Sequence, residues 1–251
     1  MPFLGGQIGE MDQGGFGAGA GEFTPLEIPS LVLWLDASTV TGSGGVAVWS
    51  DLSGNGNDAT QGTTANQPQT GTRTENGLNV LDFDGSNDYM ILPSALYTLS
   101  DGNNTIVTIF RTDSTITDQR LVSGSDDGAN SRVMQRLNSG SSIQLRNTSG
   151  GSTVSLSTSY DTTNVHILVQ RRSGSTLQGY YDGSTVTGSG VAQNVGGISS
   201  FILGSQPGAS GSFLEGAYCE QYMFDDDISD AKLNQLGNYL SDKWGATWLD
   251  I

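Results

Sequence analysis

Leu78-Asn79-Val80-Leu81-Asp82-Phe83 alternates with a period of two and then runs into Asp84-Gly85. Alternation sends successive side chains to opposite faces of an extended chain, so the stretch reads as a half-buried strand, and Asp-Gly supplies the positive φ that a tight turn needs. The same punctuation continues in both directions. Leu31–Leu35 and Val46–Trp49 precede it; Thr105–Phe110, Arg132–Leu137, Ser142–Arg146, Val165–Val169, Leu177–Tyr181, Phe201–Leu203 and Glu215–Phe224 follow, separated by clusters of Gly, Asn, Asp and Ser. So many short strands, spaced about every 10 to 15 residues, specify a large antiparallel sandwich and not a small barrel.

One segment departs from this pattern. Ser229 is a candidate N-cap, and Leu233, Leu236, Tyr239, Leu240 and Trp244 follow at three-to-four spacing. Asp230 in the first turn and Lys243 in the last have the signs that a helix dipole favours, and Gly245 can end the run. A single C-terminal helix over 229–244, packed on the sandwich, is predicted.

Of 251 residues only 14% are charged and 36 are glycine, which excludes a bundle of long salt-bridged helices. Twenty-six acids against ten bases leave a formal charge of -16, so a nucleic-acid backbone would be repelled and no nucleic-acid partner is expected. Cys219 is the only cysteine, which rules out an intramolecular disulfide. No run of about 18 apolar residues predicts a membrane span, and the first residues carry no secretion signal. Residues 1–27 form a glycine-studded arm in which Phe3, Leu4, Ile8, Phe16 and Phe23 are isolated apolar side chains suited to docking on a partner. The domain proper is expected over 28–251.

Leu33-Trp34-Leu35-Asp36-Ala37-Ser38, Val48-Trp49-Ser50-Asp51-Leu52-Ser53-Gly54-Asn55-Gly56-Asn57, Leu81-Asp82-Phe83-Asp84-Gly85, Tyr180-Tyr181-Asp182-Gly183 and the closing Glu215–Phe224 strand with its helix occur in this order. Together they resemble the concanavalin A-like, laminin G-type jelly-roll domains. The resemblance implies an all-β fold of two stacked antiparallel sheets with one short C-terminal helix, preceded here by the extended N-terminal arm. Trp34 and Trp49 are expected to fill the core.

The fold serves many functions, so the residues must choose among them. Laminarinase-like relatives carry Glu-x-Asp-x-x-Glu on one strand, and the nearest match, Glu10-Met11-Asp12-Gln13-Gly14-Gly15, lacks the third carboxylate and lies in the arm. No catalytic residues are assigned, and the protein is read as no enzyme, with a glycoside hydrolase as the third alternative. His166 is the only histidine; alternation places it opposite Val165 and Ile167, where a structural role is the simpler reading. No cofactor is required. Calcium would find oxygen ligands at Asp51, Asn55 and Asn57, although turn formation explains that loop equally well, and Asp126-Asp127 and Asp225-Asp226-Asp227 offer denser charge.

A lectin-like domain without an export signal fits a bacteriophage structural protein, made in the host cytoplasm and located on the virion. In that expectation the arm attaches to a major capsid or tail protein, and the protein forms a homo-oligomer on the particle. The jelly roll then either adheres to host-surface glycans or only clads the shell. The alternative is an extracellular carbohydrate-binding or adhesion module, for which Tyr97, Tyr160, Tyr180 and Tyr181 could supply an aromatic platform.

Overall fold

The computed structural model describes residues 23–115, 117–125, 132–139, 142–148, 154–156 and 159–251. Its longer strands are β1 (Leu31–Asp36), β2 (Leu81–Asp84), β3 (Asn104–Thr112), β4 (Gln119–Ser125), β5 (Val133–Asn138), β6 (Ser142–Asn147), β7 (Val154–Leu156), β8 (His166–Ser173), β9 (Thr176–Tyr181), β10 (Ser184–Val191), β11 (Ser200–Leu203) and β12 (Glu215–Phe224). The first sheet runs β10-β9-β8-β3-β12-β2 and continues through Gln69–Thr70 to Gly44–Gly45. Within it β12 is central: β2 pairs with its first half and β1 with its second, while β3 lines its other edge. The second sheet runs β7-β6-β5-β4-β11 and ends in the short strands Met90–Ile91, Ala59–Thr60 and Val48–Trp49. Pairing is antiparallel throughout these ladders, so the mostly-β jelly-roll sandwich expected from the sequence is the observed one.

Two apolar layers hold it together. Between the sheets lie Leu33, Leu35, Phe83, Phe110, Phe201 and Tyr218, with Trp49 fully buried edge-on to Tyr218 at 5.7 Å. Buried amides cross the same layer and set its register: Asn104 Nδ2 donates to Asn147 Oδ1 at 2.9 Å, and Gln135 Nε2 to the Ile106 carbonyl at 3.2 Å. A sandwich that slipped by one residue would strand these groups without partners, which costs more than the bonds gain.

The outer face of the first sheet is covered by α1 (Asp230–Trp244), through Leu233, Leu236, Leu240 and Trp244. Ser229 caps its start and Gly245, at φ 68°, ends it, as the helix signals predicted. A buried ionic group pins it. Glu220 accepts from Trp244 Nε1 at 2.7 Å and Trp34 Nε1 at 3.0 Å, and also from Tyr222 and Lys243. Lys243 Nζ reaches Asp36 Oδ2 at 2.5 Å as well. Burial alone would push the Lys243 ammonium down, but the Glu220 and Asp36 carboxylates win and hold it above the usual lysine range. Trp34 is thus only partly buried, stacked on Tyr222 at 5.9 Å and not part of the inter-sheet core.

Phe3, Leu4, Ile8 and Phe16 of the expected arm lie outside the described residues. Phe23 is placed against its own chain: its ring meets Tyr239 edge-on at 6.0 Å and faces the Lys232 ammonium. Pro25–Glu27 follows as a 3-10 turn that carries the chain to the buried Ile28.

Candidate functional site

Because α1 packs on the first sheet, the outward face of the second sheet has no helix over it among the described residues. Alternation decides what stands there. In β5, Val133, Gln135 and Leu137 point into the sandwich, which turns Met134 and Arg136 outward; in β6, Ile143, Leu145 and Asn147 point in and Gln144 and Arg146 out. A bulge between Arg120 and Val122 in β4 puts Arg120 on the same outer face.

Register then aligns them. Arg120 is directly opposite Arg136, and Arg136 directly opposite Gln144; in the next row Ser123 faces Met134, and Met134 faces Arg146. Cross-strand partners stand about 5 Å apart at Cβ, where like charges destabilise a sheet. Arg120, Arg132, Arg136 and Arg146 are four of the ten cations of a chain whose formal charge is -16, so their grouping on adjacent strands is a concentration against the overall field.

Their hydrogen bonding is uneven. Arg136 is ion-paired with Asp118, whose other oxygen accepts from the Ser139 amide at 2.8 Å, and its Nη1 donates to Gln144 Oε1 at 3.2 Å. Burial pushes the Asp118 carboxyl up, but Ser139 and Arg136 outweigh it and hold the group below the ordinary range. Arg120 has no such relief. Its Nε and Nη1 are buried without a hydrogen-bond partner. Burial, reinforced by the charges of Arg136 and Arg146 and only partly offset by Asp118, pushes its guanidinium down to about 10. Burial and the neighbouring Arg132 and Arg136 likewise lower Arg146. The arrangement brings half-buried guanidinium groups together around the buried Ser123 and Met134, and a carboxylate or another oxyanion is the chemistry such donors would take.

The sequence did hold a signal for this face: at the outward positions of Arg132–Leu137 and Ser142–Arg146 the polar residue is repeatedly arginine. Arg171-Arg172, the adjacent basic pair, is instead tied into structure. Arg171 pairs with Asp230 at 2.5 Å and lies over the Tyr180 ring, while Arg172 donates to the Ser100 carbonyl at 2.8 Å.

The calcium candidates come together in one loop, but they serve it internally. Asp51 Oδ1 accepts from the Trp34 and Ser53 amides, and Oδ2 from the Ser53 hydroxyl and the Asn57 amide, all within 2.7–2.9 Å. The Asn55 and Asn57 side-chain amides donate to the carbonyls of Leu31 and Val32. Asp126-Asp127 lies outside the described residues. In the triple aspartate, Asn103 Nδ2 bonds Asp227 at 2.8 Å and Asp226 at 3.3 Å, so this segment is anchored to the turn before β3. Tyr160, Tyr180 and Tyr181 are buried and make no exposed aromatic platform; Tyr97 packs partly buried against the inter-sheet core. Cys219 is fully buried under α1, and burial pushes its thiol well above the ordinary range. His166 turns away from Val165 and Ile167, as alternation requires, and stacks on Tyr181 at 4.9 Å.

No family model matches the chain, and no curated protein matches it. Solved structures share its fold. Trypanosoma rangeli sialidase in complex with sialic acid is 17% identical, with a TM-score of 0.64 over 87% of this chain and 34% of that one. The binding domain of botulinum neurotoxin DC in complex with SialylT is 12% identical, with a TM-score of 0.58 over 84% of this chain and 52% of that one. A receptor binding domain matches similarly, at 14% identity and a TM-score of 0.59 over 84% and 51% of the two chains. The chain therefore spans about a third of the sialidase and about half of the toxin and receptor binding structures, and what it shares with them is the β-sandwich fold.

Proposed function

We propose that this domain is a non-enzymatic carbohydrate-binding module that takes acidic glycans on the outer face of its second sheet. One observation carries the reading: Arg120 stands opposite Arg136 with its Nε and Nη1 buried and unpartnered. Buried donors without acceptors are an energetic cost that a folded chain rarely keeps. A sugar carboxylate would accept from Arg120 and neutralise the repulsion, and the neighbouring Gln144 offers hydrogen bonds to hydroxyls. Two structures of the same fold were solved as complexes with sialic acid and with SialylT, which supports an acidic sugar as the first ligand to try.

Titration of the full chain with 3′-sialyllactose and with lactose, at low and high salt, tests this. Sialyllactose should bind and weaken as salt rises, lactose should bind less, and Arg120→Gln should lose roughly tenfold or more in affinity, the value of a charged hydrogen bond. Equal affinity for the two sugars, or an unaffected variant, refutes the site. The same proposal includes display on a virion, with Phe3, Leu4, Ile8 and Phe16 attaching residues 1–22 to a capsid or tail protein. The glycine-studded composition of that segment supports it. Normal incorporation into particles of a chain lacking residues 2–22 would refute the attachment.

A further inference from the structure

We propose that the pocket between the loop over 51–57 and the 3-10 helix Ser94–Asp101 binds a primary alkylammonium group, with Asp225 as its counter-ion. The pocket is built on an irregularity in β1. Leu31 stands opposite Phe224 and Leu33 opposite Met223, so Val32 has no partner in β12 and forms a bulge. A bulge interrupts the ladder, and the backbone groups it releases must be satisfied elsewhere. Three consecutive carbonyls find donors here. Ser30 accepts from the Asp225 amide at 2.9 Å, Leu31 from Asn55 Nδ2 at 3.1 Å and Val32 from Asn57 Nδ2 at 2.8 Å. Three residues of extended chain span about 7 Å, so residues 55, 57 and 225 are drawn to one place.

The same bonds fix what the pocket can offer. Asn55 Nδ2 is spent on the Leu31 carbonyl and, at 2.9 Å, on Ser53 Oγ, and Asn57 Nδ2 is spent on Val32. What remains of each side chain is Oδ1, an acceptor. Asp225 adds a carboxylate. Its neighbours Asp226 and Asp227 are committed to Asn103 Nδ2, whereas the exposed Asp225 carboxylate has no ion-pair or hydrogen-bond partner among the described residues. Asn55, Asn57 and Asp225 line a cavity of about 310 Å³ together with Val32, Leu96 and Leu99. Leu96 and Leu99 are buried side chains of the 3-10 helix, so the lining divides into hydrocarbon and hydrogen-bond acceptors.

A ligand complementary to this lining brings donors at its head and hydrocarbon behind it. A primary ammonium has three N–H donors and no lone pair, which matches two amide oxygens and one carboxylate, and its alkyl stem matches the leucines. A neutral hydroxyl head would also donate, but it would leave the Asp225 charge unbalanced in a chain of formal charge -16, which an ammonium offsets. A divalent cation is the wrong occupant. It would leave the apolar wall unused, and among the described residues no group of three or more His, Cys, Asp and Glu could hold it. The pocket is opposite in sign to the arginine face, and its occupancy does not depend on the glycan reading.

Titration of the full chain with n-butylammonium, followed by ¹H–¹⁵N NMR, tests the site, with n-butanol as the neutral isostere. The ammonium ion should saturate one site, shift the Asn55 and Asn57 side-chain signals and weaken as salt rises, and butanol should bind at least about tenfold less tightly, the value of a charged hydrogen bond. Asp225→Asn, an exposed substitution that keeps the backbone bond to Ser30, should lose at least about tenfold in affinity. Asp242→Asn, the same charge change at an exposed position of α1, should leave affinity within about twofold. 1,5-Diaminopentane and Nα-acetyl-lysine amide carry the same head on a free amine and on a peptide unit, and the tighter of the two identifies the source of the ligand. Equal affinity for butanol, equal affinity in Asp225→Asn, an equal loss in Asp242→Asn, or shifts that spare Asn55 and Asn57 would overturn the proposal.

Discussion

Replacing Arg120 by methionine should make this protein more stable while destroying the affinity for acidic sugars proposed for it. The magnitude follows from the environment of the guanidinium. Burial beside Arg136 and Arg146 lowers it from the ordinary arginine range to about 10, which corresponds to roughly 3 kcal/mol of penalty for keeping the charge in the folded state. Solvent at the tip of the side chain screens part of this, which leaves about 1–3 kcal/mol. The sign is fixed: the penalty acts at every pH below about 10 and fades only as pH climbs from there into the ordinary arginine range, so it is in full force at neutrality. Methionine keeps the apolar stem of arginine and its contacts, so little packing is lost. Urea unfolding at pH 7 and low salt should show the midpoint rising by roughly 0.5–1 M at an ordinary denaturant slope. Adding Arg136→Met should gain less than additively, because the two charges repel each other only while both are present. Stabilisation with loss of binding is the pattern of a residue kept for a ligand. A clear fall in the urea midpoint would refute the reasoning, since it would mean that Arg120 earns its place through contacts within the fold.

Three further outcomes follow from the same kind of accounting. Glu220→Ala leaves two indole N–H groups without their acceptor and takes one of its two carboxylates from Lys243, which keeps Asp36, so it should cost about 3 kcal/mol; a loss below 1 kcal/mol in denaturant unfolding would contradict the ionic pin under α1. Burial, opposed by the Asp84 amide but aided by the Asp84 and Asp82 carboxylates, raises Asp88 to about 6, so wild-type stability should fall as pH rises from about 4 to 6. Asp88→Asn should abolish that slope and be up to about 3 kcal/mol more stable at pH 7, and equal pH profiles would dismiss the effect. Gly183→Ala would put a methyl 1.8 Å from the Leu249 carbonyl oxygen at φ 77°, so it should lower the melting temperature by several degrees; a neutral substitution would show that the C-terminal segment is not packed on this turn.

Much of this architecture was written locally. Period-two alternation in Leu81–Phe83 and Ser142–Arg146 specifies strands and their faces, and three-to-four spacing with Ser229 and Gly245 at its ends specifies α1, because both signals depend on neighbours within one turn or one pleat. Asp182-Gly183 announces its own hairpin, with φ of 53° and 77°. The sites are different. That Arg120 faces Arg136 depends on a bulge in β4 and on pairing across a connection, and neither leaves a mark on the residues that connect them. Glu220 meets Asp36 and Lys243 through a lysine 207 residues from that aspartate, and His166 gains its carboxylates from Asp182 and Asp161 only when the β8–β9 hairpin and the preceding loop close around it. Pattern along the chain therefore determined which way each side chain points, whereas the long-range pairing of strands, a cooperative property of the whole sandwich, decided which charges share a surface and which share a cavity.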